Sequence, residues 1–283
     1  MSERETYAAG VPCWVETLQP DPRAALDFYG PLFGWEFSGP GPMTGEAGAE
    51  YFVGRVDGRD VAGVGALPAL GGPPALGGPP AAVWSTSVAV DDADAAVELA
   101  TSAGASLLFG PVDALPAGRL AVLVDPTGAA FGLWEAGDRA GAQLVNEPGT
   151  WAMSSLHTPD PSGASAFYGA LFDWRSTPIA TGAPITLFRL TDHLGGEPGQ
   201  PIPRDVVGVM TPIEPGSGGP GIPPHWSVNF RVDDADAVAA HAAELGGRLL
   251  IAPTDAPGFR SAVVVDPQGA TFSISQFVSG ASG

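Results

Sequence analysis

Lysine is absent from the chain, and its 12 basic side chains, all arginines, stand against 31 acidic ones. The formal net charge of −19 would repel phosphate backbones and anionic membrane surfaces. We therefore predict no nucleic-acid partner and no membrane partner. Cysteine is nearly absent too, and because Cys13 is the only one, no internal disulfide can form.

Long apolar runs are also missing. No run approaches the roughly 20 residues that a membrane-spanning helix needs. The N-terminal stretch MSERETYAAG carries charges of both signs and lacks the apolar core of a signal peptide. These absences predict a cytoplasmic protein. At 283 residues with 45% hydrophobic content, the chain is long enough for two domains that each bury a core.

What the chain does contain is a repeat. The segment CWVETLQPDPRAALDFYGPLFGW, which begins at Cys13, corresponds to AMSSLHTPDPSGASAFYGALFDW, which begins at Ala152. Tyr29 matches Tyr168, an offset of 168 − 29 = 139 residues, and the same offset relates the tryptophan that ends each segment. Further on, VWSTSVAVDDADA matches HWSVNFRVDDADA, and VLVDPTGAAFGLW matches VVVDPQGATFSIS. The two halves of the chain therefore have one architecture.

Each half reads as two βαβββ units. In the first unit, an alternating strand over residues 11–18 precedes a helix that begins at Pro22, with Asp21 as its N-cap, and ends at Gly34. Strand patterns and tight turns follow the helix. We predict an α+β protein with an N-terminal arm (1–10), a first domain (11–136), a linker (137–150) and a second domain (151–283). The Gly/Pro-rich stretches 68–80 and 214–224 are predicted to be loops between units.

Three motifs together carry a family resemblance: FY-x-x-LFGW after a short strand, a strand running into VDDADA, and DP-x-G between two strands. This combination resembles the glyoxalase / bleomycin-resistance / extradiol-dioxygenase superfamily, also called vicinal oxygen chelate proteins, and specifically a two-domain member. The resemblance covers nearly the whole chain. It implies four βαβββ modules that form cup-shaped mixed sheets. It implies no particular reaction.

The resemblance also implies where a metal would bind. Metal-dependent members take ligands from the first strand (His or Gln), the fifth strand (His) and the last strand (Glu). Carried over motif by motif, these positions are Trp14 and Met153, Ser85 and Ser227, and Gly132 and Ser273. A divalent ion needs carboxylate, imidazole or thiolate groups that converge on one point. We therefore predict no metal site and no cofactor.

Large aromatic side chains occupy the cup strands instead. Flat side chains on a concave sheet are typical of a site for a planar apolar ligand that a few polar groups orient. The predicted ligand-binding residues are Trp14, Glu16, Trp84, Trp134, Met153, His157, His225 and Trp226. The predicted function is metal-free binding of a planar aromatic molecule, such as an antibiotic-like secondary metabolite, for sequestration and resistance or as a helper in its biosynthesis. A monomer or a homodimer fits this architecture.

An enzyme is the alternative. A shift of two residues in the alignment would bring Glu16, His157 or His225 to metal-ligand positions, which leaves an atypical metal site open. In an enzyme, with or without a metal, the same three residues could act as acids or bases. The alternative is then a glyoxalase-like or dioxygenase/hydroxylase-type enzyme with an atypical or absent metal site. Fold does not decide between the two hypotheses.

Overall fold

A computed structural model describes residues 3–42, 49–67, 82–180, 184–195, 200–213 and 223–278. The first half of the chain forms β1 (Pro12–Gln19), α1 (Pro22–Phe33), β2 (Glu36–Pro42), β3 (Glu50–Val56), β4 (Arg59–Ala66), β5 (Val83–Val90), α2 (Ala93–Ser102), β6 (Ser106–Ala114), β7 (Gly118–Val124) and β8 (Ala130–Ala136). The second half forms β9 (Trp151–Thr158), α3 (Pro161–Phe172), β10 (Arg175–Ala180), β11 (Pro184–Arg189), β12 (Val206–Pro212), β13 (His225–Arg231), α4 (Ala235–Glu244), β14 (Arg248–Ala256), β15 (Phe259–Val265) and β16 (Thr271–Phe277).

Two mixed eight-stranded sheets carry the fold. Their orders are β2-β3-β4-β1-β5-β8-β7-β6 and β10-β11-β12-β9-β13-β16-β15-β14. In both sheets the two central strands pair antiparallel, and each central strand pairs in parallel with the last strand of its own unit. The predicted α+β fold of four βαβββ units is confirmed. We call the sheet faces turned away from the helices cup one (first sheet) and cup two (second sheet).

Local sequence fixes the ends of the first helix in each half. The Asp21 carboxylate accepts hydrogen bonds from the backbone N–H of Arg23 and Ala24 at 3.0 and 3.1 Å, and so caps α1. Gly34 ends that helix with a φ of 71°, a conformation that glycine adopts without strain. In the second half, Asp173 takes the same left-handed role with a φ of 57°. The predicted bounds of α1 are therefore confirmed, and α3 has the corresponding bounds in the second half.

The hydrophobic cores join units from different domains. One core holds α1 together with strands of the fourth unit, where the rings of Phe33 and Phe230 lie 4.8 Å apart. The other core joins the second unit to the third, where Phe131 packs on Tyr168 at 5.6 Å. Each domain therefore depends on the other for burial of its helices.

Two buried hydrogen-bonded triads cross between the domains. In lock one, Trp84 Nε1 donates to the Tyr29 hydroxyl (3.0 Å), which donates to Asp266 Oδ2 (2.8 Å). In lock two, Trp226 Nε1 donates to the Tyr168 hydroxyl (2.8 Å), which donates to Asp125 Oδ2 (2.8 Å). The repeated tyrosines and the aspartates of both DP-x-G turns thus bind the halves together.

The locks correct two predictions about ligand-binding residues. Trp84 pairs with Thr17 across β1 and β5, so its side chain lies on the face opposite to that of Glu16. It is buried against Tyr29 in the core. Trp226 is buried in the same way against Tyr168. The prediction that Trp84 and Trp226 line the cups is therefore wrong, because strand alternation directs both rings towards the helices.

The N-terminal arm is held in place from its third residue onward. Arg4 N donates to the carbonyl of Gln143 at 2.9 Å, and the Tyr7 hydroxyl donates to the carbonyl of Ala142 at 2.7 Å. The sequence analysis predicted an arm over residues 1–10 but not these contacts, because contacts with the linker have no local signature. Residues 68–80 and most of the second predicted loop, 214–222, lie outside the described residues. None of the described helices is both long and apolar enough to cross a membrane.

Candidate functional site

The strand register defines the row of side chains where the resemblance places a metal. In cup two, Met153 is paired with Asn229 and Asn229 with Ser273. In cup one the corresponding row holds Trp14, Ser87 and Gly132. The fifth-strand positions are therefore Ser87 and Asn229, two residues beyond those carried over from the sequence motif. Cross-strand pairing, which the sequence does not specify directly, decides this register.

Neither row fits a divalent ion. Thioether, amide and hydroxyl groups in cup two, and indole and hydroxyl groups in cup one, do not supply converging anionic or imidazole ligands. Throughout the described ranges, no three His, Cys, Asp or Glu side chains come together as a metal-binding group. The residues present do not match the metal site that the resemblance implies.

Cup two opens into a cavity of about 430 Å³. Its floor includes Met153 and Asn229 from the central strands β9 and β13 and Ser275 from β16, and its walls include Phe259 of β15 and Phe277 of β16. The two phenylalanine rings lie 5.5 Å apart. The volume falls within the range of about 300–1,000 Å³ that is typical of small-molecule sites. Of the predicted binding residues, Met153 is the one that lines this cavity.

An oriented amide lies at the floor of the cavity. The Asn229 Nδ2 group donates to Ser273 Oγ at 2.9 Å, and the Ser275 hydroxyl donates to Asn229 Oδ1 at 2.6 Å. These two bonds fix the amide plane and leave one N–H and one oxygen lone pair free for a ligand. Asn229 also lines an adjoining cavity of about 310 Å³ that includes Ile251 and Thr254. The sequence analysis missed Asn229 because its role depends on the register of β13.

The arm and the segment after β11 close the other side of the cavity. Tyr7 and Arg4 contribute from the arm, and His193 and the exposed Asp192 contribute from the loop after β11. Burial, together with the charge of Arg4, lowers the pKa of His193, so this histidine is neutral near pH 7. Arg4 is then the cationic group that faces a ligand here. No periodic pattern in the sequence could have indicated this contribution from the arm.

The two predicted histidines lie together at the opposite end of the cup-two strands. His157 and His225 are a cross-strand pair whose rings stack at 4.6 Å with an interplanar angle of 11°. The His157 Nε2 atom hydrogen-bonds to Ser227 Oγ at 2.9 Å. Burial, and to a lesser extent the charge of His225, lower the pKa of His157 to about 4. Neither histidine lines the two cavities described above.

Cup one contains a hydrogen-bonded chain that ends on a carboxyl group. Trp14 Nε1 donates to the Tyr51 hydroxyl at 2.9 Å, and the Tyr51 hydroxyl donates to Glu16 Oε2 at 2.6 Å. Burial raises the pKa of Glu16, and the hydrogen bond from Tyr51 together with the nearby Trp14 indole N–H offsets part of that rise. The structure thus brings Trp14 and Glu16 together, and adds Tyr51, which the sequence analysis missed.

The linker covers one side of cup one. The Trp134 Nε1 group donates to the carbonyl of Arg139 at 2.9 Å. The Arg139 guanidinium lies 5.9 Å from the ring centre of Trp14 and 3.3 Å from an oxygen of Asp60. Trp14 and Trp134 therefore share the cup face, as alternation along their strands predicts. Their bonds are made within the protein, so both rings have fixed positions.

Comparison with known families covers both domains. Residues 14–133 match the family described as the Glyoxalase/Bleomycin resistance protein/Dioxygenase superfamily. Residues 152–275 match the family described as a Glyoxalase-like domain. These two segments correspond to the two sheets with their helices.

Relatives of similar length share the arrangement. The protein CFP32 of Mycobacterium tuberculosis, named as a candidate glyoxylase, is 40% identical over 277 residues, which cover 97% of each chain. The anthracycline biosynthesis protein DnrV of Streptomyces peucetius is 36% identical over 279 residues, which cover 95% of this chain and 94% of DnrV.

Solved structures share the fold at low identity. The Mn(II)-bound glyoxalase of Novosphingobium aromaticivorans superposes with a TM-score of 0.62 at 16% identity, covering 95% of this chain and 82% of that one. The 2,3-dioxygenase LapB of Pseudomonas sp. KL28 gives a TM-score of 0.60 at 10% identity, with coverage of 95% and 93%. These likenesses concern the fold alone. From the two family matches and the full-length relatives, the chain belongs to the glyoxalase/bleomycin resistance protein/dioxygenase superfamily, as a member with two such domains in tandem.

Proposed function

We propose that the chain binds a planar aromatic small molecule in cup two without the help of a metal ion. The observation that carries this proposal is the cavity of about 430 Å³, which combines aromatic walls with one oriented amide. Phe259 and Phe277 offer ring surfaces for stacking, and Asn229 offers a donor and an acceptor to set the orientation. Met153 provides a polarizable apolar contact that adapts to ligand shape.

The electrostatics of the cavity favour a ligand with electron-rich oxygens. Arg4 is the cationic group among the lining residues discussed above, and the neighbouring His193 is neutral. A guanidinium group hydrogen-bonds strongly to phenolate, enolate or carboxylate oxygens. A hydroxylated polycyclic ring system has such oxygens at its edge and an apolar face for the phenylalanines.

The relative DnrV supports this ligand class, since its name places it in anthracycline biosynthesis, and anthracyclines are planar polycyclic compounds with several ring oxygens. Binding alone would serve either of two roles. The protein would sequester such a compound and so confer resistance, or it would hold an intermediate as a helper in its biosynthesis.

Quinizarin, a neutral dihydroxyanthraquinone, provides a direct test. Titration should quench the fluorescence of Trp151, which lines the cavity. Asn229→Leu should weaken binding about tenfold or more, because a ligand oxygen or hydroxyl would lose its partner in a buried site. Met153→Arg should abolish binding by filling the floor.

Ser227→Ala is the matched control. Ser227 lies on the same strand as Asn229, two residues away, but bonds to His157 and lines neither cavity. Its affinity for quinizarin should equal that of the unmodified protein. If quinizarin fails to bind at about millimolar concentration, or if Asn229→Leu and Met153→Arg both bind it normally, the proposal is wrong.

A glyoxalase-like or dioxygenase/hydroxylase-type enzyme is the second candidate, and the name of CFP32 as a candidate glyoxylase favours it. Glu16, a partly buried carboxyl group with a raised pKa, would be its proton-transfer group. Elemental analysis of the purified protein and an assay of hemithioacetal conversion would separate the candidates. A stoichiometric metal ion together with turnover would favour the enzyme.

A further inference from the structure

We propose that cup one is a second ligand site, separate from the cavity in cup two, and that it binds a protonated amine at the carboxylate of Glu16. The site lies in the first domain, on a different sheet from the proposed aromatic site. The two proposals can therefore be tested independently of each other.

One oxygen of the Glu16 carboxylate is already hydrogen-bonded within the protein. Oε2 accepts the short hydrogen bond from Tyr51, whose own oxygen accepts from Trp14. Oε1 has no hydrogen-bond partner among the described residues, although the side chain is only partly exposed. Because Glu16 is on the cup face of β1, this second oxygen is available from the cup.

Among the described residues, no cation is paired with this carboxylate. The chain has no lysine, and Arg139, which lies near the Trp14 ring, is engaged with Asp60. Within the described part of the chain, no arginine or histidine forms an ion pair with Glu16. A partly buried carboxylate that has only neutral donors is costly to ionise. A ligand cation would supply the missing partner.

The strand neighbours of Glu16 on the cup face are small residues. Ser85 is its cross-strand neighbour on β5, and Gly63 is its neighbour on β4. A Cβ atom at Gly63 would overlap the Tyr51 hydroxyl, so the glycine allows Tyr51 to reach the carboxylate. A primary ammonium group has three N–H donors. Glu16 Oε1 and the Ser85 hydroxyl provide two acceptors, and the Trp14 ring provides an apolar wall.

The net charge of the whole chain also favours the binding of a cation. A net charge of −19 raises the local concentration of organic cations and speeds their association. Selectivity would come from the pocket itself: Ser85 and Gly63 are small, so a primary amine on an unbranched carbon fits better than a quaternary ammonium group, which lacks donors.

The experiment compares benzylamine with benzyl alcohol, its neutral analogue, by calorimetric titration at pH 7.5. Benzylamine should bind at least about tenfold more tightly than the alcohol, since a hydrogen bond to a charged partner is worth more than 1.4 kcal/mol, the equivalent of that factor. Glu16→Gln keeps the shape and removes the charge, and it should reduce the affinity to that of the alcohol.

Two further variants control for folding and location. Ser85→Leu places a bulky side chain beside Glu16 and should abolish amine binding while the cooperative urea transition is retained. Asn229→Leu, in cup two, should leave benzylamine affinity unchanged. If benzylamine shows no binding at about 10 mM, or binds Glu16→Gln as tightly as the unmodified protein, the amine site does not exist. Loss of amine binding in Asn229→Leu would place the amine in cup two and overturn the assignment.

Discussion

The two cups are built on the same sheet order and the same strand pairing, yet they present different chemistry. The equivalent rows are Trp14, Ser87 and Gly132 in cup one and Met153, Asn229 and Ser273 in cup two. In cup one, indole and phenol groups are bonded to one another around a carboxyl group. In cup two, smaller side chains leave a cavity with an amide at its floor. One duplicated scaffold therefore supports two different sites.

The two locks, unlike the two cups, have the same chemistry in both halves of the chain. Trp84, Tyr29 and Asp266 repeat the geometry of Trp226, Tyr168 and Asp125, with matching donors and acceptors. The positions at which the two halves agree most visibly thus hold the domains together. The positions at which they differ line the cups. In a chain of this kind, the differences between repeats point to ligand chemistry, while the identities point to assembly.

The largest expected effect comes from breaking lock two. Tyr168→Phe leaves Trp226 Nε1 and Asp125 Oδ2 buried without partners, because among the described residues the tyrosine is the only group bonded to that oxygen. Each orphaned group costs about 2 kcal/mol, so the free energy of unfolding should fall by about 4 kcal/mol. Urea denaturation followed by tryptophan fluorescence measures this.

The same change in lock one should cost about half as much, roughly 2 kcal/mol. After Tyr29→Phe, Asp266 Oδ2 still accepts a hydrogen bond from Gln19 Nε2 at 2.8 Å, so only the indole of Trp84 loses its partner. Gln19 has no counterpart in lock two, where Thr158 stands at the matching position. Equal losses of stability in the two variants would contradict this asymmetry.

A further expected effect is that the stacked histidines of cup two make the stability of the protein depend on pH. The folded-state pKa of His157 is about 4, compared with 6.5 in the unfolded chain. The unfolded state therefore binds more protons between these values, and stability falls as the pH drops from 6.5 to 4. A difference of 6.5 − 4 = 2.5 units corresponds to about 3 kcal/mol.

His157→Gln should remove that part of the acid sensitivity. The comparison is the difference in unfolding free energy between pH 7 and pH 4, measured for both proteins. His225→Gln should also reduce the slope, but it should leave the contribution of burial on His157, which is the larger cause of the pKa shift. An unchanged slope in His157→Gln would show that the stacked pair does not control acid stability.

The sequence predicts the local elements well and the cross-strand relations poorly. Asp21 and Gly34 mark the ends of α1 through short-range rules of capping and left-handed backbone, so those ends could be predicted. Trp84 could not be placed on its correct face, because that depends on its pairing with Thr17 rather than on its neighbours in sequence. For the same reason, the sequence analysis did not identify Asn229 and Tyr51 as site residues.

Tertiary packing also decides the contribution of the arm. Arg4 and Tyr7 reach cup two because the arm bonds to the linker between the domains. Residues without periodicity give no such indication in a sequence. The mismatch between the residues of the two rows and a divalent ion, in contrast, could be argued from residue types alone. The corrected register leaves that argument unchanged, because Ser87 and Asn229 are no better suited to the task than Ser85 and Ser227.

The smallest expected effect is a gain in stability in cup one. The folded-state pKa of Glu16 is raised by burial, so its stabilising contribution is complete below the unfolded value and is lost as the pH rises through the folded one. Glu16→Gln should therefore increase the free energy of unfolding by about 1 kcal/mol at pH 8 and leave it unchanged at pH 4. Thermal unfolding at the two pH values measures both quantities.

Benzylamine should narrow that difference in stability. A ligand that binds only the folded state stabilises it in proportion to the logarithm of its concentration relative to Kd. At pH 8 the amine should raise the melting temperature of the unmodified protein and leave Glu16→Gln where it was, so that the two converge as the amine concentration increases. A carboxylate that makes the free protein less stable and the bound protein more stable is maintained for its ligand. If Glu16→Gln is less stable than the unmodified protein at pH 8 without amine, the carboxylate instead stabilises cup one through Tyr51.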